Sequence, residues 1–308
     1  MTGYLVRRLI LLVFVVWGVT SLTFVVNSVT GDPMTLMIYA TTDMSVLEDY
    51  RRSLGLDRPV YIQYLDYMYK ALQGDFGMSI RHREPALDMI LRRLPRTLQL
   101  GGLAFILAMV IGFPLGTLAA LRRGTIQDGF TMLFALVGQA VPVFWLGILL
   151  IMLFSVRLKW LPVAGSGGPE YLVLPAIALA AYPLARNARL VRSSVLEVLG
   201  KEFVTTARAK GLQRPVVLTR HVLRNALIPV LTMNALELGS LVGGAVITES
   251  VFGWPGMGRL TVMAIQNRDF PVVQAGIALI ATMYVVANLL VDILYGALDP
   301  RIRLVQEK

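Results

Sequence analysis

The sequence predicts an all-α, polytopic membrane protein with six transmembrane helices, and three observations support this fold class. Hydrophobic residues make up 56% of the 308 residues and charged residues only 16%, against roughly 25% charged residues in a typical soluble domain. The apolar runs are long and unbroken, whereas the strands of a membrane β-barrel alternate polar and apolar residues. Basic residues are concentrated in alternate loops, which is typical of a chain that crosses the bilayer several times.

Six stretches approach or exceed the roughly 20 residues that a helix needs to cross a bilayer. They lie at Leu9–Val29, Leu98–Leu121, Phe130–Val156, Tyr171–Ala188, Leu227–Phe252 and Val272–Leu298. The first follows Arg7 and Arg8. It is too long for the apolar part of a signal peptide, and no small-residue cleavage pattern follows it, so we interpret it as an uncleaved span. The fourth contains Pro175 and Pro183, which membrane helices tolerate because neighbouring groups satisfy the freed carbonyls.

The distribution of charge predicts that both termini are cytoplasmic. Sixteen basic and five acidic residues fall on one side of the membrane, in segments 1–8, 122–129, 186–226 and 299–308. Thirteen basic and eleven acidic residues fall on the other side, in segments 30–97, 157–170 and 253–271. Positively charged loops stay in the cytoplasm, so the first set is inside. Because the basic excess flanks the bilayer, we expect the lipid bilayer, and no nucleic acid, to be its partner.

The chain therefore divides into three parts. Residues 1–29 are an N-terminal segment with the first transmembrane helix, and residues 30–97 are an extracytoplasmic helical segment. Residues 98–308 form a five-helix core that contains a cytoplasmic segment at 186–226. The extracytoplasmic segment has two open interpretations, a packed cap without a specific role or a docking surface for an external partner.

Short helices are predicted within the extracytoplasmic segment. Ser45–Glu48 has the spacing of a capping box. A second helix begins near Pro59, where Asp57 could cap it. Glu84 and Pro85 begin a third helix, which runs into Leu94. The second helix has one apolar face at three- and four-residue steps, formed by Tyr61, Leu65, Met68 and Leu72. The turn Gly74-Asp75-Phe76-Gly77 separates the last two helices.

The cytoplasmic segment predicts two further short helices. Ser194–Glu197 again has capping-box spacing, and the helix that it begins is expected to end at Gly211. Pro215 suits the first turn of a second helix, which would end near Arg224. Small residues that would let another surface approach closely lie within the first of these helices, namely Thr205, Thr206, Ala207 and Ala209. We favour docking of a cytoplasmic partner over a simple positively charged anchor.

Motifs for catalysis are missing from the sequence. It has no cysteine, no GxxxxGK[ST] phosphate loop, no HExxH and no GxSxG, and its only histidines are His82 and His221. We therefore expect no enzyme, no metal site and no cofactor on this chain. An energy-driven process would need a separate motor subunit.

Polar groups recur within two spans. Asn234, Glu237 and Ser240 follow one another at three-residue steps, and Tyr284, Asn288 and Asp292 at four-residue steps. Such groups avoid lipid, so they either line a polar pathway or hydrogen-bond between helices, and both interpretations stay open. The candidate pathway-lining residues are Asn234, Glu237, Ser240, Glu249 and Asn288. Close helix packing is permitted at Gly112xxxGly116 and Gly239xxxGly243.

The segment Thr205-Thr206-Ala207-Arg208-Ala209-Lys210-Gly211-Leu212, followed by Arg224-Asn225-Ala226-Leu227-Ile228-Pro229, closely resembles the cytoplasmic signature of binding-protein-dependent ABC importer permeases. More narrowly, it resembles the first permease of the dipeptide/oligopeptide/nickel group. Further resemblances run along the chain in the same order, at Gly31-Asp32-Pro33, Leu54–Asp57, Gly74–Gly77, Glu249–Phe252, Trp254–Gly256 and Ala297–Arg301. The general signature begins with glutamate, where this chain has Thr205, so the role of that glutamate is not transferred.

The resemblance implies a fold like that of type I ABC importer permeases, in the bacterial cytoplasmic (inner) membrane. It implies four partners besides lipid: a homologous second permease, two ATP-binding cassette subunits and an extracytoplasmic solute-binding protein. ATP and Mg would bind only to the ATPase subunits. The residues implied to dock on an ATPase are Thr205, Thr206, Ala207, Arg208, Ala209, Lys210, Gly211, Leu212, Arg214, His221 and Arg224.

The implied function is ATP-driven import of small peptides or of a related solute such as chelated nickel. The run Asn267-Arg268-Asp269-Phe270-Pro271 is similar to one in the nickel branch. The alternative is a secondary transporter or a channel that works without an ATPase. A secondary transporter predicts an inverted internal repeat, which the sequence does not show by inspection.

Overall fold

The structure is a computed structural model that describes residues 2–30 and 57–298. In these ranges the chain is helical apart from turns and one isolated bridge between Met78 and Pro85, so the all-α prediction is confirmed. The helices are α1 Thr2–Thr30, α2 Val60–Leu72, α3 Ala86–Leu121, α4 Ile126–Ala140, α5 Val143–Leu150, α6 Glu170–Leu199, α7 Glu202–Ala209, α8 Arg214–Val216, α9 Arg224–Val251, α10 Met257–Gln266 and α11 Phe270–Leu298. Two π-helical segments, π1 Ile151–Arg157 and π2 Val217–Leu223, continue α5 and α8.

Within the described residues, two helices are long and apolar enough to cross a bilayer. They are Ala86–Leu121 and the part of α11 from Phe270 to Leu289, and a third span results if α4 and α5–π1 count as one. The predicted number of six spans is not confirmed by this criterion. Helices α1, α6 and α9 cover the remaining predicted spans. The predicted capping box at Ser45–Glu48 lies outside the described residues.

The third predicted span, Phe130–Val156, is not the single helix that was expected. Helices α4 and α5 meet at an angle of 106°. Pro142 has no amide hydrogen, and its ring excludes the residue before it from helical geometry. Val141 accordingly has an extended backbone with ψ 123°. The helix therefore ends at Ala140, begins again at Val143 and continues through π1.

The chain divides into two compact units. One contains the described residues up to Thr97 together with 255–286, and the other contains 98–254 together with the described residues from 287 onward.

In the first unit, α2 packs on α1 through aromatic rings. The ring of Phe24 lies 5.5 Å from that of Tyr64 and 5.4 Å from that of Tyr67, between centroids. The hydroxyl oxygens of Ser21 and Tyr64 are 2.7 Å apart. Aromatic pairs at these separations contribute beyond their buried area. Tyr64 and Tyr67 therefore make the contact of α2 with α1.

The second predicted helix begins near Pro59, as expected, and the side chains of Tyr61, Leu65 and Leu72 on its apolar face are exposed. The predicted cap of this helix and the predicted end of the next one are wrong. Pro59, and not Asp57, occupies the cap position of α2, and no side chain bonds to the helix start there. The helix that begins after Pro85 does not end near Leu94 but continues to Leu121. Pro95 and Pro114 each remove one of its backbone hydrogen bonds without ending it, as prolines do in other membrane helices. The turn at Gly74–Gly77 is as predicted, with φ of +80° and +86° at its two glycines.

A buried carboxylate fixes the loop before α3. Asp269 is 3% exposed, and its two oxygens accept hydrogen bonds from the Ser79 hydroxyl at 2.5 Å and the Ile80 amide at 3.1 Å. Arg81 donates to the side chain of Asn267 at 2.8 Å. The acidic member of the run Asn267–Pro271 thus has a structural role in joining this loop to the start of α11.

In the second unit, α6 lies at the centre and its neighbours approach it at glycines. A Cβ on Gly116 would lie 2.4 Å from the carbonyl oxygen of Ala188, and one on Gly112 would lie 2.9 Å from the Cβ of Asn187. On α4, a Cβ on Gly138 would lie 2.9 Å from that of Ala185. The predicted close packing at Gly112xxxGly116 is therefore observed. Small residues serve this purpose in membrane helices because they let backbones approach.

We predict that Gly116→Ala destabilises the chain while Gly102→Ala does not. The new methyl group at position 116 meets a backbone carbonyl that cannot move away, and overpacking of this kind costs about 1–3 kcal/mol. At position 102, on the same helix, a Cβ would have no neighbour within 4 Å. Thermal unfolding of the purified chain in nanodiscs measures both variants. Equal melting temperatures for the two would contradict the close approach of α3 to α6.

Candidate functional site

The candidate site is the α6–α9 linker, residues 200–223, together with the parts of α6 and α9 that it joins. Helix α6 ends at Leu199, and Lys201 has an extended backbone with ψ 146° before α7 begins at Glu202. This break separates the linker from the long helix before it. The linker contains α7, a turn at Gly211, α8 and π2.

Ser194 is inside α6 and does not begin a helix, so the predicted capping box at Ser194–Glu197 is wrong. The residues before Ser194 are already helical, and their carbonyls bond to the amides that a cap would have satisfied. The buried hydroxyl of Ser194 instead donates to the backbone carbonyl of Ala226 at 2.6 Å. This bond ties α6 to α9 at the base of the linker.

Helix α7 depends on apolar packing beneath it. It has only eight residues, and isolated helices shorter than about 12–15 residues are marginal in water. Val204 and Ala207 are buried in one apolar cluster with Val217 and Val222 of π2. Val191 and Val195 of α6 extend the cluster. These contacts hold α7 against the helices on either side of it in the chain.

Gly211 ends α7 in a Schellman arrangement. Its φ is +79°, and its amide donates to the carbonyl of Arg208 at 2.9 Å while the amide of Leu212 donates to the carbonyl of Ala207 at 3.4 Å. This left-handed geometry costs a residue with a side chain about 1–2 kcal/mol but costs glycine nothing. The predicted helix end at Gly211 is therefore observed, although the helix that ends there begins at Glu202.

The second predicted helix of the linker does not end near Arg224. Pro215 lies in the first turn of α8, as predicted, but α8 continues through π2 and α9 to Val251. The cause is that Arg224 and Asn225 keep helical geometry, with Arg224 at φ −56° and ψ −37°. The last part of the linker, π2, thus forms one continuous helix with α9, which contains the predicted fifth span.

Most of the residues implied to dock on a partner lie on the outer surface of the linker. Ala207 faces the valine cluster and is 5% exposed, and His221 is half-buried. The exposed members are Thr205, Thr206, Arg208, Ala209, Lys210, Gly211, Leu212, Arg214 and Arg224. The linker therefore presents a basic surface with small residues on a support that is packed from within.

A buried ion pair fixes the start of α4 to α6. Arg192 donates from Nε and Nη2 to the two carboxylate oxygens of Asp128, at 2.6 and 2.8 Å. The amide of Gly124 donates to the same carboxylate at 3.0 Å. Hydrogen bonding from the Arg192 side chain, and then from Gly124, lowers the pKa of Asp128 from 3.8 to about 2. The same pairing raises the pKa of Arg192.

Two of the candidate pathway residues form paired contacts between α6 and α9. The amides of Asn234 and Asn187 bond to each other in both directions, at 2.7 and 2.8 Å, and both residues are 1% exposed. Glu237 forms an ion pair with Arg186. The burial of Asn234 supports interhelical hydrogen bonding, the alternative to a pathway lining.

The other candidate pathway residues are not gathered at this place. Glu249 is completely buried, near the other end of α9. Asn288 is half-buried on α11. The side chain of Ser240 lies outside the described part of the structure, as does that of Asp292.

Sequence reasoning did not single out the partners Arg186, Asn187, Arg192 and Asp128. Each pair joins residues that are between 47 and 64 positions apart, and no local pattern indicates such a contact. A signal did exist in the fourth predicted span, where Arg186 and Asn187 follow an apolar run. Polar residues at such a place need partners within the protein.

Comparison with known proteins identifies the relatives of this chain. Residues 112–304 match the model of the family described as binding-protein-dependent transport system inner membrane component, and residues 1–101 match the N-terminal model of the same kind of component. The dipeptide transport system permease protein DppB of Escherichia coli K12 is 41% identical over 340 residues, covering 98% of this chain and 99% of DppB.

Two further relatives match over a similar length, 98% of this chain and 99% of the relative's own chain. The di/tripeptide permease DppB of Pseudomonas aeruginosa UCBPP-PA14 is 43% identical, and the glutathione permease GsiC of E. coli K12 is 41% identical. Among solved structures, an amino acid ABC transporter with histidines matches 68% of this chain and 94% of its own, with a TM-score of 0.56 and 16% identity. The MetNI methionine ABC transporter matches 66% and 95%, with a TM-score of 0.51 and 19% identity. These two likenesses concern the fold.

We predict that the Asp128–Arg192 pair makes stability depend on pH in acid. Because the pKa of Asp128 is lower in the folded state, its contribution is complete above about pH 4 and is lost as the pH falls toward about 2. Asp128→Asn should therefore lower the melting temperature at pH 7, since a lowering of the pKa of this size corresponds to about 2 kcal/mol of stability. The difference from wild type should shrink in a pH titration of thermal unfolding as the pH falls from about 4 to about 2.

The matched control is Asp66→Asn. Asp66 pairs with Lys70 on α2 at 2.9 Å, but both side chains are about half exposed, and such pairs contribute roughly 0–1 kcal/mol. An effect of Asp66→Asn as large as that of Asp128→Asn would show that burial does not determine the strength of the Asp128 pair.

Proposed function

Because this chain belongs to the family of binding-protein-dependent transport system inner membrane components, we propose that it is the first permease subunit of an ATP-driven importer of small peptides. It is a transport subunit of the inner membrane and not an enzyme. Its partners include an ATPase and a substrate-binding protein. The observation that carries the proposed mechanism is the exposed basic linker, supported from within by a valine cluster, between the two helices that form the buried polar contacts.

The assignment to peptides rests on the relatives. Their names specify dipeptides, di- and tripeptides, and glutathione, which is itself a peptide. Chelated nickel stays an alternative without support of its own. The run Asn267–Pro271, which suggested it, contains Asp269, and the hydrogen bonds of this carboxylate to Ser79 and Ile80 account for its presence.

The proposed assembly contains a homologous second permease, two ATP-binding cassette subunits and a solute-binding protein on the outer face. In the bilayer, we propose six spans with both termini in the cytoplasm, which the loop charges of the sequence support. The linker then lies on the cytoplasmic side, where the ATPases are. The acidic and basic residues of segment 30–97 lie outside, where the binding protein arrives.

The linker acts as a lever in this proposal. Its outer surface, including Thr205, Arg208 and Lys210, fits into a groove of one ATPase. Closure of the two ATPases on ATP displaces α7, and the valine cluster transmits that displacement because Val204 and Val222 are both fully buried in it. Since π2 is continuous with α9, the displacement reaches the fifth span directly. Close-packed protein cores have low compressibility, so they transmit such a displacement.

We predict that the purified chain alone hydrolyses no ATP and pumps no substrate. Reconstitution with its second permease and both ATPases should give ATP hydrolysis that the peptide-loaded binding protein stimulates, measured as phosphate release in proteoliposomes. Uptake of labelled peptide should depend on ATP. Full transport by the chain alone would indicate a secondary transporter or a channel.

We predict that Gly211→Arg uncouples hydrolysis from transport. A Cβ at position 211 meets nothing within 4 Å in this chain, so the variant should insert and fold with a loss of only about 1–2 kcal/mol from the left-handed backbone. In the assembly the arginine projects from the docking surface. Hydrolysis should continue while peptide uptake per ATP falls at least severalfold.

Gly211→Asn is the control for backbone strain, because asparagine adopts the left-handed conformation more readily than other residues with a side chain. It should retain most of the coupling between hydrolysis and uptake. If Gly211→Arg transports with normal coupling, residue 211 is not part of the docking surface.

A further inference from the structure

Two different polar contacts join α6 and α9 at neighbouring positions. One is the neutral pair Asn187–Asn234, and the other is the ion pair Arg186–Glu237. Arg186 and Asn187 are consecutive in α6, and Asn234 and Glu237 are three residues apart in α9. The two contacts therefore hold the same pair of helices at nearly the same level.

The neutral pair is sufficient to join the helices. Each amide donates to the other's carbonyl oxygen, at 2.7 and 2.8 Å, and Asn234 also donates to the carbonyl of Val230 at 2.8 Å. Both side chains are almost fully buried. Paired amides of this kind are a common way of joining membrane helices.

The ion pair is the more costly contact. The carboxylate of Glu237 must leave water to form it, and replacing a buried ion pair by apolar residues is often neutral or stabilising. Glu237 lies within the predicted fifth span, and ionisable residues inside membrane spans are rare and mark pathways and ligand sites. A second contact that only joined α6 to α9 would not need charges.

The ion pair is also asymmetric in its burial. The side chain of Glu237 is 9% exposed, whereas that of Arg186 is 33% exposed. A guanidinium group has five hydrogen-bond donors, and the hydrogen bond to Glu237 uses Nη1 of Arg186. Arg186 thus keeps part of its side chain accessible, while its hydrogen-bond partner Glu237 is buried.

We propose that Arg186 is a contact point for the C-terminal carboxylate of the transported peptide, with Glu237 as the counter-ion that occupies the guanidinium when the site is empty. This inference rests on the proposed function, because it assigns a recognised group on a peptide substrate. Guanidinium groups bind carboxylates through two parallel hydrogen bonds. The site lies on α6 and α9, the two helices that flank the linker. Binding of a peptide at the site and displacement of the linker would therefore act on the same two helices.

The test measures peptide binding to the complete importer in nanodiscs without its binding protein, so that the selectivity of the binding protein does not contribute. The probes are dialanine and its C-terminal amide. Saturation-transfer NMR measures the binding of each probe to the nucleotide-free importer. The wild-type importer should bind dialanine about tenfold more tightly than the amide, as expected for one charge-assisted hydrogen-bonded contact. Arg186→Gln should abolish this preference, and Arg186→Lys should retain part of it.

Glu237→Gln separates recognition from a structural role. Removing the competing carboxylate should increase the affinity for dialanine severalfold, whereas a variant that merely loosened the helix pair would lose affinity. Arg189→Gln is the matched control, since Arg189 is an exposed arginine on the same helix, and it should keep the wild-type preference.

The results also distinguish this inference from the proposed function. An importer that takes up peptide with ATP but shows no preference for the free carboxylate, or keeps it in Arg186→Gln, overturns only the role of Arg186. Equal loss of binding for both probes in Arg186→Gln assigns the pair to structure and likewise overturns it. Absence of ATP-dependent uptake by the wild-type assembly overturns the proposed function itself.

Discussion

The second unit depends on how closely other helices can approach α6. At Gly116 a side chain would collide with α6, because the carbonyl oxygen of Ala188 would lie only 2.4 Å from its Cβ. Helix α4 likewise needs a residue without a side chain at Gly138, where it approaches Ala185 of α6. Lipid offers no hydrophobic force that would bring one apolar helix to another, so contact between helices rests on close packing and on a few polar pairs. The Asp128–Arg192 pair joins α4 to α6, the two helices that meet at Gly138, and the Asn187–Asn234 pair joins α9 to α6.

This arrangement gives α6 two roles. Along its buried side it is the surface on which α3, α4 and α9 pack, and at Leu199 it ends in the exposed linker. The valine cluster beneath α7 includes Val191 and Val195 of α6. A force applied to the linker therefore acts on the same helix that organises the unit. In the proposed assembly, the linker is the place where an ATPase subunit applies this force.

The parts of the structure that the sequence predicted are those that local chemistry determines. Long apolar runs predicted the helices, the freedom of Gly211 predicted the end of α7, and Pro215 predicted the start of α8. Ser194 shows the limit of such signals, because a serine followed three residues later by glutamate also occurs inside helices, where its hydroxyl can bond elsewhere. The bend at Pro142 had a signal in the sequence, but prolines also occur within continuous membrane helices, as Pro175 and Pro183 do in α6. The pairs of Asp128, Arg186 and Asn187 could not be predicted, because only the packing of distant helices brings their partners together.

The π2 segment has a consequence for how related chains are compared. A π-helical stretch bonds each amide to the carbonyl five residues back, so it accommodates one residue more than an α-helix over the same rise. Between Val217 and Leu223 the chain carries this additional residue without leaving the helix. A homologue that is one residue shorter here can keep the same helix axis with ordinary α-helical bonding. A single-residue gap at this place in a sequence alignment would then indicate a difference in helical winding. It would not indicate a shortened loop or a displaced linker.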